Sequence, residues 1–208
     1  MIAVGIDAND NILPLSWALV PTENNEWWTW YCMFLKDCFP AMDNQGVVFI
    51  SDRDKGLAAS VHMVFPNATP AHCCQHIADN VQQRYGVKCR PLFWRCAWAK
   101  TQQLFKEALA ALQAEDRAAA AYIDNIPHGT WTRYAFPSPR FGHNTSNIVE
   151  SLNSAWNPLR SLSPLKMVDA IWSITIKTIY DRSHRPQQST EIADIPLLKF
   201  KDRLRSSH

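Results

Sequence analysis

Gly46-Val47-Val48-Phe49-Ile50-Ser51-Asp52 is the stretch on which the fold turns. A short continuous apolar run between a glycine and a polar residue is the pattern of a strand buried on both faces. The run ends on a carboxylate, so Asp52 is expected at the carboxyl end of a central strand, where ligand sites of open α/β sheets form. An aspartate at that place has two readings. It can be an active-site acid, or it can cap the following helix by accepting free backbone N–H groups, a task for which Asp54 is the better-placed candidate.

Working outward from that strand, the flanking periodicities supply the rest of an α/β order. Met1 to Asp7 and Ile12 to Val20 are apolar stretches separated by Ala8-Asn9-Asp10-Asn11, which is turn chemistry, so the chain opens as a β-hairpin. Positions 27, 28, 31, 34, 35 and 38 are apolar at helical spacing, with Asn24 or Asn25 as N-cap and Pro40 as stop. Leu57, Val61, Val64 and Phe65 predict a short helix ended by Pro66, and Ala68 to Cys74 a weaker strand. Ile77, Val81 and Tyr85 predict a further helix closed by Gly86.

From Pro91 to Asn125 the chain is rich in Ala, Leu, Gln and Lys, with Leu104, Phe105, Ala108, Leu109 and Leu112 on one stripe, which predicts one long helix and a second short one. Pro127 to Phe141 is irregular. A helix from about Thr145 carries Ile148, Val149, Leu152 and Trp156 on its apolar face. Ser163-Pro164 opens another, in which Leu165, Val168, Ile171, Trp172, Thr175 and Ile179 are expected to face inward. The sum is an α/β fold, a mixed sheet flanked by helices with an all-helical insertion. The expected divisions are a core over 1–87, the insertion over 88–140, core helices over 141–181 and a basic tail over 182–208.

With 208 residues and 47% hydrophobic content the chain can bury a sizeable core, which excludes a disordered description. No apolar run approaches the ~18–20 residues of a membrane span, and Met1-Ile2-Ala3-Val4-Gly5 lacks the flanks of a signal peptide, so the chain reads as soluble and intracellular. Six cysteines are too few and too clustered for a disulfide scaffold, which leaves reduced thiols or a metal site. The net charge of +2 conceals a segregation: residues 1–80 hold three Lys/Arg against nine Asp/Glu, residues 81–208 eighteen against ten. Such a division suits a protein that gathers carboxylates in one part and meets a polyanion with another, although uneven surface charge without function looks the same.

Three further features bear on chemistry. Glu150 falls away from the apolar face of its helix and reads first as a solvated glutamate, yet Asn147, Glu150 and Asn153 recur at three-residue spacing and make a polar stripe that could line a groove. Cys73 and His76 have the Cys-x-x-His spacing that chelates zinc when a second pair is at hand. Cys89, Cys96, His72 and His143 are the candidates for that pair and none has partner spacing, so a structural zinc stands beside ordinary buried thiols. The nine tryptophans are mostly core by helical spacing, with base stacking open to Trp131. Neither a P-loop nor a dinucleotide fingerprint occurs.

Five blocks in order carry a resemblance: Ala3–Asp10 (AVGIDAND), Ile50–Gly56 (ISDRDKG), Cys73–Asn80 (CCQHIADN), Trp131–Phe136 (WTRYAF) and Asn144–Asn153 (NTSNIVESLN). They resemble the successive signature blocks of Mutator-like element (MULE) DDE transposases. That resemblance implies an RNase H-like fold in which three acids hold two Mg²⁺ or Mn²⁺ ions. Asp52 matches the second acid, Glu150 the third, and Cys73 with His76 the family's Cys-x-x-His element. The first acid of the family lies on a strand ahead of the hairpin, in a block resembling Asp-Gly-Thr. This sequence begins at the hairpin, so the first strand is expected to be missing, and Asp7 falls in the turn and does not match that acid.

The resemblance also implies DNA, as transposon ends, for a partner, a homo-oligomer as the functional state, no membrane, and the nucleus as location. Arg133, Arg140, Arg160 and Lys166 are the candidate phosphate contacts. The function it implies is metal-dependent DNA cleavage and strand transfer, in which one metal activates the attacking oxygen and the other stabilises the departing one. Lacking one acid, the chain is expected to be incomplete or inactive. The competing reading is a domesticated or decayed transposase acting as a non-catalytic DNA- or protein-binding module. A third reading, an unrelated metal-dependent hydrolase, would need Asp7, Asp52 and His76 to converge.

Overall fold

A computed structural model describes residues 1–6, 11–53 and 55–184. Its elements in chain order are β1 (Ile2–Ile6), β2 (Ile12–Trp17), α1 (Asn25–Cys38), β3 (Val48–Ser51), α2 (Lys55–Val64), β4 (Thr69–His72), α3 (Cys74–Tyr85), α4 (Cys89–Trp98), α5 (Gln102–Glu115), α6 (Arg117–Asp124), α7 (Asn147–Ala155) and α8 (Pro164–Ser183). The protein is a mixed α/β structure, as expected. Asp7, the proposed cap Asp54 and the tail from residue 185 lie outside the described residues.

The strands form two separate two-stranded sheets among the described residues, β1 with β2 and β3 with β4, where a single mixed sheet was expected. Pro14 in β2 and Pro70 in β4 each remove a ladder donor and belong on edge strands, which limits how far either sheet extends. β3 and β4 run parallel with Val48 opposite Thr69 and Ser51 opposite His72. With only one neighbour, β3 is half-buried along its length and not fully covered on both faces.

Contacts divide the chain into two units, Met1–Ala3 with Ser16–Ser154, and Val4–Leu15 with Ala155–His208. In the first unit the Asn24 side chain accepts the Trp27 N–H at 2.9 Å and starts α1. The helix then buries Tyr31, Cys32 and Leu35. Cys32 and Leu35 pack with Val61, Val64 and Phe65 into one apolar cluster that Phe49 of β3 joins, its ring 4.7 Å from that of Phe65. Each such side chain contributes roughly 1.5–3 kcal/mol on burial. Ser60, buried in the same layer, is satisfied by the Gly56 carbonyl at 2.8 Å and by Thr29 at 2.9 Å.

A second cluster in that unit joins α3, α4, α5 and α6. The stretch expected to form one long helix and a short one forms three. The Thr101 hydroxyl accepts from Leu104 N–H and the Asp116 carboxylate from Ala119 N–H, so two N-caps cut the run. Of the predicted stripe, Phe105, Ala108 and Leu112 are buried whereas Leu104 is exposed. Trp131 closes this core, fully buried and stacked on Phe93 at 5.2 Å. Gly86 ends α3 at φ 96°, a left-handed backbone suited to glycine.

In the second unit, Gly5 lies where a β-carbon would stand 3.3 Å from Leu15, a close approach that a side chain there could make only if Leu15 shifted slightly. α8 begins at Pro164 as predicted and buries Ile171 and Thr175, but Leu165 is 80% exposed and Trp172 is 42% exposed, so the expected inward face is narrower. α7 starts at Asn147 and ends before Trp156. No helix among the described residues is long and apolar enough to cross a membrane.

Candidate active site

Because β3 and β4 are parallel, the residues that follow them leave the sheet at the same edge. The Ser51 carbonyl accepts the Cys73 N–H at 2.7 Å, which carries the ladder one step past the last strand pair. Residue 52 therefore departs within about one strand spacing, ~5 Å, of residue 73. Asp52 is exposed there. The next side chain anchors the loop: the Arg53 guanidinium donates to the Tyr122 hydroxyl of α6 and lies over that ring, 5.2 Å from its centroid.

On the neighbouring strand, His72 is held below the ordinary imidazole range by burial, with the charge of Arg53 adding to the effect, so it is neutral at pH 7. Cys73 is fully buried and joins two parts of the chain. Its Sγ accepts the Ser146 N–H at 3.1 Å, while the Cys74 N–H donates to the Asn144 carbonyl at 2.8 Å. These two bonds dock segment 144–146 on the start of α3, immediately ahead of α7. Glu150 then lies in the first turn of α7, its N–H bonded to the Ser146 carbonyl at 3.3 Å. Its Oε1 is 3.6 Å from Nε2 of His76, in the first turn of α3.

A route of direct bonds thus runs from the residue before Asp52, through Cys73, to the turn that carries Glu150. Glu150 is about half exposed, and Asn147 beside it is exposed. Two residues that hold this arrangement had no signal in the sequence. Arg53 reads there as one more charge in a loop, and Asn144 as a turn residue, although its carbonyl fixes the start of α3.

The basic candidates fall in different units. Arg133 is exposed, and Arg140 is half-buried, with its guanidinium 4.3 Å from the Phe136 ring centroid and donating to the Trp131 carbonyl at 3.1 Å. Both belong to the first unit, whereas Arg160 and Lys166, both exposed, belong to the second. Trp131 is a core residue and offers no face for base stacking.

A parallel strand pair with an acid following one strand and a helix start docked beside the other is what this mixed α/β protein presents at the strand ends. Residues 1–80 match the family described as the MULE transposase domain, a span that includes Asp52, Cys73 and His76 and ends before Glu150. No curated protein matches the chain.

That family implies a divalent metal. Asp52 and Glu150 are the hard oxygen donors such an ion prefers, but among the described residues no three His, Cys, Asp or Glu side chains are grouped closely enough to hold one. The thiols fit zinc no better. Burial pushes the Cys74 thiol up to about 12 and the Cys96 thiol up to about 12, so both are protonated at neutral pH in the structure described. Cys73 Sγ is engaged by Ser146, and all six cysteines are free of disulfides. The residues described do not complete a metal site of either kind.

Proposed function

We propose that this protein is a transposase-derived, DNA-binding domain with an RNase H-like core, in which Asp52 and Glu150 are two carboxylates of a site for divalent metal, and that this polypeptide alone does not cut DNA. The observation that carries the reading is the Cys73 junction. One residue accepts from Ser146 through sulfur and donates to Ser51 through nitrogen, so the two acids, far apart in sequence, stem from one junction. The match of residues 1–80 supports the same reading from the side of sequence.

His76 beside Glu150 gives the family's Cys-x-x-His element a use without zinc, with the cysteine docking α7 and the histidine facing its acid. The described residues bring no third acid to this pair, and two acids alone hold a divalent ion weakly, so strand cleavage is not expected of this chain. The second reading, a non-catalytic DNA- or protein-binding module, is favoured by that same shortage of a third ligand among the described residues.

The test uses the full chain and a labelled duplex carrying transposon-end sequence, at 50 and 200 mM salt, with Mg²⁺ or Mn²⁺ present. Binding that weakens steeply with salt, without nicking, is the expected outcome. Strong Mg²⁺-dependent nicking that Asp52→Asn abolishes would overturn the statement about activity, and no binding at either salt concentration would overturn the DNA reading.

A further inference from the structure

The segment that docks α7 also forms one wall of a recess of about 410 Å³, lined among others by Trp98, Arg133, Phe136, Arg140, Phe141 and Asn144. That volume lies within the ~300–1,000 Å³ range of small-ligand sites. None of the lining residues is acidic and two of them are arginines, so the lining favours an anion over a cation. Arg140 is fixed by the Phe136 ring and by the Trp131 carbonyl, while Arg133 is exposed.

Its aromatic surfaces are presented to solvent. Phe141 is 85% exposed and stands at φ 46°, the left-handed backbone that side chains other than glycine rarely adopt, followed by Gly142 at φ 88°. Trp98 is 43% exposed, its buried part stacked on Trp94 at 6.5 Å. Asn144 also lines the recess; it is 6% exposed, and its buried side-chain Nδ2 has no hydrogen-bond partner among the described residues. A flat ring, an anion and a hydrogen-bond acceptor are the three things this lining would satisfy together.

We propose that this recess binds one unpaired nucleotide of a DNA strand, with its base against Phe141 and Trp98 and its phosphate at Arg133 and Arg140. Aromatic faces accept any base, and arginine meets the phosphate. Asn144, which lines the recess, accepts from the Cys74 N–H and stands two residues ahead of Ser146, whose carbonyl starts the turn that carries Glu150. The inference rests on the transposase reading for its choice of DNA as the strand.

The test is a fluorescence titration of the full chain with a 12-nucleotide strand carrying one 2-aminopurine, alone and annealed to its complement, with deoxythymidine monophosphate as competitor. The unpaired strand is expected to bind with a change in 2-aminopurine emission. Phe141→Ala and Arg133→Ala, both exposed and tolerable to the fold, should each weaken that binding tenfold or more and change duplex binding less than twofold. Equal binding by wild type and both variants would overturn the proposal, as would equal losses on strand and duplex, or a protein that binds the monophosphate but not the strand. Recess-dependent strand binding without any transposon-end binding would leave this inference standing and defeat the function proposed above. The reverse pattern would defeat this inference alone.

Discussion

Nε2 of His76 lies 3.6 Å from Oε1 of Glu150, so the first turn of α3 faces the first turn of α7 through an imidazole and a carboxylate. Both side chains are around half exposed, at 40% and 53%, and an ion pair so placed contributes little, about 0–1 kcal/mol. Glu150→Gln is therefore expected to leave the unfolding free energy in urea within about 1 kcal/mol of wild type. A larger loss would mean that Glu150 serves the fold, and its candidacy as a site acid would weaken.

Cys73 should behave in the opposite way. Truncating it to alanine strips the Ser146 N–H of its acceptor at a part-buried junction beside the fully buried Cys73 side chain. An unsatisfied buried donor costs about 1–3 kcal/mol, and Cys73→Ala is expected to lose that much in urea denaturation. Faster amide exchange over 144–150 should accompany the loss, since that segment is held by the same junction.

Trp131 tests the core of α3 to α6. It is stacked on Phe93 and its indole N–H is satisfied by the Ile126 carbonyl at 3.3 Å. Trp131→Ala should cost about 3–5 kcal/mol, read from the denaturation midpoint. A change below 1 kcal/mol would contradict its place in the core.

Thiol chemistry gives an independent check. Burial pushes Cys32 up to about 11 and Cys74 and Cys96 up to about 12, whereas Cys38 is only half-buried. At pH 8 an aromatic disulfide reagent should titrate Cys38 first in the native protein and all six thiols after denaturation. Rapid native modification of Cys74 would contradict the packing around α3.

Acid should loosen the turn ahead of β3. The Lys36 ammonium donates to Asp43 at 2.8 Å and the Asn67 N–H at 2.9 Å, and these bonds hold the Asp43 carboxyl below the usual carboxylate range. A depressed carboxyl stabilises the fold above its unfolded value, near 3.9, and that contribution disappears as pH falls through the folded value. Asp43→Asn should accordingly lower the thermal midpoint at pH 7, with the gap to wild type closing below about pH 4. A gap unchanged between pH 7 and pH 3 would contradict this.

Much of the first unit was legible because local chemistry and tertiary demand agree there. Asn24, the apolar positions of α1 and Gly86 each act within one helix turn of where they stand, and the run ending at Ser51 is a strand wherever it packs. The division of 91–125 into three helices is equally local, written in Thr101 and Asp116, but the Ala- and Leu-rich composition masks it. What could not be read is what acts across the chain. A cysteine sulfur accepting a backbone N–H seventy-three positions away leaves no pattern, nor does an arginine reaching sixty-nine positions to a tyrosine. Leu165 and Trp172 misled because helical spacing defines a stripe and not which part of it finds a partner.

The central claim is that Asp52 and Glu150 act at one place, and a Mn²⁺ titration followed by electron paramagnetic resonance tests it with four proteins: wild type, Asp52→Asn, Glu150→Gln and the double variant. The account predicts weak, saturable uptake by wild type that either single substitution removes, with nothing further lost in the double variant. Losses that simply add, or uptake that only one of the two acids controls, would contradict it.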